Sequence, residues 1–281
     1  MPPRKFDFNS ALSSLYRYNG LLVAEYEDDA GTIEVVEQNG IRRLHFGSGA
    51  LQSCMSLSDP GHLCANYERT LMALLLFNSA PARTLMIGLG GGSLVRFLLQ
   101  HNEHGHLHVV ELRPQVGEVA RNHFLLPDAD ARLQLTFGCG ARHVAQQSAR
   151  QAGSYQVIVV DAYQAAGMAP AVTSEEFFRH CHRLLSDQGL LVINLWRSEK
   201  TLLATITRHL TSVFNGRVHF IGVRDSDNMI GFAFAAGYPP RALHQLEAEA
   251  RSLQQRLRLD FADYLQDLKL SDPHGSLFLD E

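Results

Sequence analysis

The chain has 281 residues, 46% of them apolar and 19% charged, which is ample for a buried core and excludes wholesale disorder. Its 25 basic residues against 29 acids give a formal charge of −4, a poor balance for a general nucleic-acid binder. The longest uninterrupted apolar stretch, Leu71 to Phe77, is seven residues, against the roughly 20 that a membrane span needs.

In chain order, the opening MPPRKFDFNSALSS is charged early and has no apolar core, so no signal peptide is expected. From Gly20 to Met55 come four short β-rich runs, LLVAEYE, GTIEVVEQ, IRRLHFG and ALQSCM. The turn signals Asp28-Asp29, Asn39-Gly40 and Gly47-Ser48-Gly49 separate them, and Asn-Gly is the strongest of these for a hairpin. A small antiparallel β region of three or four strands is expected over residues 1–60. Tyr67 to Asn78 predicts a helix. From Arg83 onward strands and helices alternate. The strands are TLMIG (84–88), LHVVEL (107–112), LQLTF (133–137), YQVIVVD (155–161) and GLLVINLW (189–196), with helices over 91–101, 114–124, 140–151 and 174–185. Such repetition calls for a parallel sheet covered on both faces. After a helix at 199–214, RVHFIGV (217–223) and MIGFAFAA (229–236) are joined by so short a turn that they must be antiparallel. Residues 61–240 therefore read as an α/β unit with a methyltransferase-type Rossmann-like sheet, parallel strands ending in an antiparallel hairpin. Residues 241–281 read as a helical extension: an amphipathic helix at 241–255, a short second helix and a frayed polar tail.

The four cysteines, Cys54, Cys64, Cys139 and Cys181, form no CxxC pair and no zinc spacing. They are expected as reduced thiols in a cytoplasmic protein, which sets aside disulfide-stapled and secreted readings. His101, His104, His106 and His108 straddle a helix end and a strand start, where a solvated connection is simpler than a metal site.

Three features carry chemistry. Gly88, Gly90, Gly91 and Gly92 lie in a turn at the end of the first parallel strand that runs straight into a helix. Glycine there lets a ligand approach the backbone and leaves N–H groups free at the helix N-terminus. The turn lacks both the G-x-G-x-x-G of a pyrophosphate site and the GK[ST] of a P-loop, which favours a nucleoside without a diphosphate. Glu111 ends the next strand, where a carboxylate accepts both ribose hydroxyls of such a nucleoside. Asp161 ends the most apolar strand, at the sheet edge where ligands bind, placed to hold a cation or accept a proton. Glu175 and Glu176 after Thr173-Ser174 fit a helix cap, Asp225 and Asp227 fit turn residues, and Trp196 fits either a pocket wall or core.

IGLGGGSLVRFLLQH, VVELRPQV, TFGCGARHV, YQVIVVDAYQ and TSEEFF, with LQSCM ahead of them, occur in an order and spacing that resemble the spermidine synthase (polyamine aminopropyltransferase) family. The resemblance runs from about Gly20 to Ala236. It implies transfer of an aminopropyl group from decarboxylated S-adenosylmethionine to a small-molecule amine, with no metal, no nucleic acid and no membrane. It also implies a homodimer. Gln52, Gly88, Gly90, Gly91, Gly92, Glu111, Cys139 and Gly140 take the nucleoside positions by resemblance, Tyr67, Tyr163 and Gln164 the amine side, and Asp161 the proton acceptor.

Three acids of the family pattern are replaced. Gly91 stands where an aspartate holds the aminopropyl ammonium, Cys139 where one faces adenine, and Gln164 where the second acid of D-x-x-D helps hold the polyamine. A hydrogen bond to a charged group contributes roughly 1.5–3 kcal/mol against about 1 for a neutral one. The replacements are therefore expected to weaken dication binding. With no acid at Gly91 to repel a carboxylate, intact S-adenosylmethionine is expected to bind at least as well as the decarboxylated donor. Methyl transfer and a non-catalytic nucleoside-binding role stand as alternatives.

Overall fold

The computed structural model describes residues 15–165, 167–272 and 277–279, so the expectation for MPPRKFDFNSALSS lies outside the described residues. The first part of the chain is an antiparallel sheet of five strands in sequential order. These are β1 (Tyr16–Arg17), β2 (Gly20–Asp28), β3 (Gly31–Gln38), β4 (Ile41–His45) and β5 (Leu51–Ser56). The strand beyond the expected four, β1, is two residues long and has no alternation for a pattern to register. Asn39 and Gly40 take φ of 53° and 73°, the paired left-handed residues of a type I′ turn, and Gln38 faces Ile41 across it.

Beyond β5 the loop folds back along the strand. Cys54 and Cys64 are disulfide-bonded, with Cα atoms 6.1 Å apart, which corrects the expectation of reduced thiols. The proximity comes from the path of the loop, which spacing alone does not disclose. Cys139 and Cys181 are free. The helix expected over 67–78 divides into α1 (Asn66–Leu71) and a 3₁₀ turn at Met72–Leu76. This apolar run is buried on every side, so tertiary contacts rather than an amphipathic period set its path.

The α/β portion then follows as β6 (Arg83–Ile87), α2 (Ser93–His101), β7 (His106–Glu111), α3 (Pro114–Phe124), β8 (Leu133–Phe137), α4 (Gly140–Ser148) and β9 (Tyr155–Val160). A small hairpin, β10 (Tyr163–Gln164) and β11 (Gly167–Met168), precedes α5 (Glu175–Leu184), β12 (Leu185–Trp196), α6 (Lys200–Val213), β13 (Val218–Gly222) and β14 (Asn228–Phe234). The seven-stranded sheet has the order β13-β14-β12-β9-β6-β7-β8. Its strands from β12 to β8 are parallel, while β14 runs antiparallel to both β12 and β13. This is the predicted methyltransferase-type sheet. β12 starts four residues before the expected 189, because a register shift between Leu185 and Leu190 lets Leu185 pair with Tyr155.

Central strands bury both faces. Val157 and Val159 join one core, Ile158 and Val160 the other. The first core also takes in β3, α2 and α3, together with α7 (Leu243–Leu257) and α8 (Phe261–Leu270). The second is covered by α4, α5 and α6. Ser174 caps α5 by accepting the Phe177 N–H at 3.1 Å, with Glu175 and Glu176 in the first turn.

His108 departs from the solvated connection expected of its run. Its ring nitrogens lie 3.0 Å from the Tyr155 hydroxyl and 3.0 Å from Thr136 Oγ1. Burial, then His143 and Arg83, push it down to about 4. The C-terminal segment also differs from a frayed tail where it is described. β15 (Arg241–Ala242) pairs with β16 (Phe278–Leu279), and Leu277 and Phe278 are buried. No helix among the described residues is long and apolar enough to cross a membrane.

Candidate active site

Strands β6, β7 and β9 finish at one edge of the sheet, and the turn after β6 is threaded between the ends of its neighbours. Gly88 donates its N–H to Val110 O at 2.9 Å, and Asp161 donates its N–H to Ile87 O at 2.9 Å. Gly88 has φ +101°, and a Cβ there would stand 2.0 Å from the Asp161 carbonyl oxygen, so only glycine fits. Gly90 borders the same opening. Gly92 is the left-handed residue that starts α2.

The strand ends open into a cavity of about 630 Å³. Gln52, Tyr67, Gly88, Gly90, Glu111 and Asp161 line it, as do Cys139, Gly140, Tyr163 and Gln164. Gly91 and Gly92 are not on its wall. β5 brings Gln52 over the opening, and α1 brings Tyr67, whose hydroxyl donates to Gln52 O at 3.2 Å. The Gln52 side-chain nitrogen is buried without a partner. At the start of α4, a Cβ on Gly140 would lie 2.4 Å from Ile87 Cγ2, so the glycine permits close approach to β6.

Glu111 is 7% exposed. Its Oε2 accepts the Leu89 N–H and its Oε1 the Arg113 N–H, each at 2.9 Å, which fixes the carboxyl against the glycine turn. Burial raises its pKa against these two hydrogen bonds. Each oxygen retains acceptor capacity for a further donor. Arg113, the one basic residue on the described wall, is held elsewhere: its guanidinium donates to Asp28 at 3.0 and 2.8 Å and to Gly31 O at 2.6 Å.

Asp161 accepts a hydrogen bond from Asn194 Nδ2 at 2.9 Å, and Asn194 Oδ1 accepts from Asn228 Nδ2 at 2.8 Å. Burial pushes Asp161 up to about 6, with the Asn194 bond opposing it. Beside it, Tyr163 stacks on Trp196 at 4.6 Å between centroids, and its hydroxyl donates to Asn194 O at 3.0 Å. Trp196 is therefore a wall residue of the cavity.

Residues 65–223 match the spermine/spermidine synthase domain family. A polyamine aminopropyltransferase of Chromobacterium violaceum is 35% identical over 237 residues, 84% of this chain and 89% of its own length. The chain belongs to the spermine/spermidine synthase family, a family of transferase enzymes. A spermidine synthase solved with the transition-state analogue AdoDATO matches at a TM-score of 0.71, covering 89% of this chain and 85% of its own, with 19% identity. Human methyltransferase-like protein 13 in complex with SAH matches at 0.61, covering 69% of this chain and 93% of its own, with 24% identity. These two likenesses are of fold.

Against the synthase pattern, the position of Gly91 leaves little room for a side chain. A Cβ there would sit 2.9 Å from Ser53 Oγ and 3.0 Å from Phe124 Cδ1. The Gly91 carbonyl is occupied by Arg96, whose Nη1 also reaches Phe124 O, each at 2.6 Å. The position is tightly packed, and neither Gly91 nor Gly92 is on the cavity wall.

Sequence reasoning passed over Glu68, Asn194 and Asn228, and took Asp225 and Asp227 for plain turn residues; all five line the cavity. The hairpin turn between β13 and β14 reaches the opening because β14 pairs along the whole C-terminal half of β12. The available signal for Glu68 was an acid adjoining Tyr67 at the head of a wholly apolar run.

Proposed function

We propose that this synthase-family chain transfers an aminopropyl group from an S-adenosyl sulfonium donor to an amine acceptor of polyamine metabolism. The observation that supports this most directly is the excess of acidic over basic side chains on the wall. Among the described lining residues are five carboxyl groups, Glu68, Glu111, Asp161, Asp225 and Asp227, and one guanidinium, already bound to Asp28. Such a wall suits a sulfonium and ammonium groups, and the volume is in the range of small-molecule sites.

The nucleoside lies over Gly88 and Gly90 with Glu111 accepting from its ribose, and Gln52, Cys139 and Gly140 border it. Asp161, Tyr67, Tyr163 and Gln164 border the acceptor. In the reaction the amine lone pair attacks the carbon next to the sulfonium, the C–S bond breaks, and methylthioadenosine leaves with the electron pair. Asp161 takes the proton of the new ammonium. A carboxyl held near 6 is ionised at neutral pH yet more basic than an exposed aspartate.

The test incubates the purified chain with labelled decarboxylated or intact S-adenosylmethionine and a panel of di- and polyamines. Methylthioadenosine is the expected product. S-adenosylhomocysteine would establish methyl transfer instead, and nucleoside binding with neither product would establish a non-catalytic role.

A further inference from the structure

Glu68 is an acid that the structure buries with no ion-pair contact to a base among the described residues. It is the third residue of α1 and 2% exposed, and it borders the cavity with Oε2 lacking any hydrogen-bond partner. Part of the carboxyl is accounted for by the Ala65 N–H and the Ser93 side chain beside it, half of a capping box. That leaves a carboxyl oxygen stripped of water with nothing in exchange, a costly state for a native protein.

The charged and titratable groups that act on Glu68 are Asp161 at the end of β9, Arg96 on α2 and Tyr67 on its own helix. Arg96 does not complete it. Its Nη1 is committed to the Gly91 and Phe124 carbonyls and its Nε to Pro60 O at 3.4 Å. Burial, then Asp161, push Glu68 up to about 8, so the unliganded group is mostly protonated at neutral pH.

We infer that Glu68 binds the ammonium of the donor's three-carbon tail, in place of the aspartate that position 91 lacks. Its neighbours locate it: Ser93 is the first residue of α2 after the glycine turn, and Asp161 is the proposed proton acceptor. A tail leaving a sulfonium over that turn toward Asp161 passes this carboxyl. An ammonium supplies both the donor that Oε2 lacks and the charge that keeps it ionised. A carboxylate on the same tail meets Glu68 and Asp161 as like charges, so the decarboxylated donor is preferred. The assignment rests on the nucleoside reading above.

Calorimetry on the full chain compares methylthioadenosine, which has no ammonium, with the adenosyl thioether that carries an aminopropyl tail instead of the methyl group. Glu68→Gln keeps an amide oxygen for the Ala65 N–H. It is expected to lose roughly ten- to hundredfold affinity for the aminopropyl thioether and none for methylthioadenosine. Equal changes for both ligands, or no change for either, overturn the assignment. Should the variant not fold, the unmodified protein gives the same answer through proton release in buffers of different ionisation heat. At pH 7 the aminopropyl thioether is expected to displace close to one proton and methylthioadenosine none; equal release by both overturns the assignment. If the unmodified protein binds neither compound, the nucleoside reading itself fails, an outcome told apart because both ligands then fail together.

Discussion

Two opposing influences meet on the Asp161 carboxyl: burial raises its pKa to about 6, and the Asn194 hydrogen bond lowers it. Asn194→Ala removes only the lowering influence, so the pKa of the proposed base rises. The acid limb of a kcat/KM profile is expected to move to higher pH; a limb that stays put or moves down rules out this positioning role for Asn194. Gly91 offers a second residue-scale prediction. Gly91→Asp writes the family's acid back but drives a Cβ against Ser53 and Phe124. The variant is expected to be less stable by roughly 1–3 kcal/mol in urea unfolding, and tighter donor binding at unchanged stability would refute the steric account. These residues divide by how far their surroundings were readable. Gly88, Glu111 and Asp161 sit at strand ends, so the apolar run before each one located it. Glu68 acquires its character from α1, α2 and β9 converging, and no local pattern carries that information.

At the level of elements, strands whose alternation or apolar run is closed by turn chemistry were legible, and the Asn39-Gly40 hairpin is the plainest case. What tertiary pairing creates was not. β1 exists only as a partner of β2, the early start of β12 depends on a register shift, and β16 exists only by pairing with β15 across the two helices α7 and α8. The Cys54–Cys64 bond belongs to the same class, and it joins β5, which carries Gln52, to the approach to α1, which carries Tyr67 and Glu68. Closing a loop with a sequence separation of 10 removes unfolded-state freedom equivalent to roughly 2–3 kcal/mol. Cys54→Ser with Cys64→Ser is therefore expected to lower the denaturant midpoint, and added reductant is expected to do the same to the unmodified chain. An unchanged midpoint in both experiments would show that the bond contributes nothing to stability.

Over the whole molecule, one core runs from Ile33 and Leu44 of the N-terminal sheet through Val157 of the parallel sheet to Phe261 and Leu265 of α8, so the cavity is enclosed by parts that pack as one. Strain introduced at the cavity is then felt as global stability. An acid whose pKa is higher in the folded than in the unfolded chain binds more protons when folded, so stability falls as pH rises across the interval between the two values. For Asp161 that interval runs from 3.8 to about 6, and for Glu68 from 4.5 to about 8. The histidines His45, His108 and His219 have lowered values and act in the opposite sense, losing stability as pH falls through their ordinary 6.5. Above about pH 6.5 Asp161 is largely ionised, while the histidines are still partly protonated in the unfolded chain and oppose Glu68. The Glu68 contribution is therefore read as a difference between proteins rather than as a bare slope. Between pH 6.5 and 8 the unliganded protein is accordingly expected to lose roughly 2 kcal/mol, a few degrees in Tm, relative to Glu68→Gln. Saturating aminopropyl thioether should remove the same difference in the unmodified chain by holding Glu68 ionised throughout. Thermal unfolding across the interval decides the matter: an unliganded pH dependence that matches that of Glu68→Gln would mean that Glu68 is not the group being titrated.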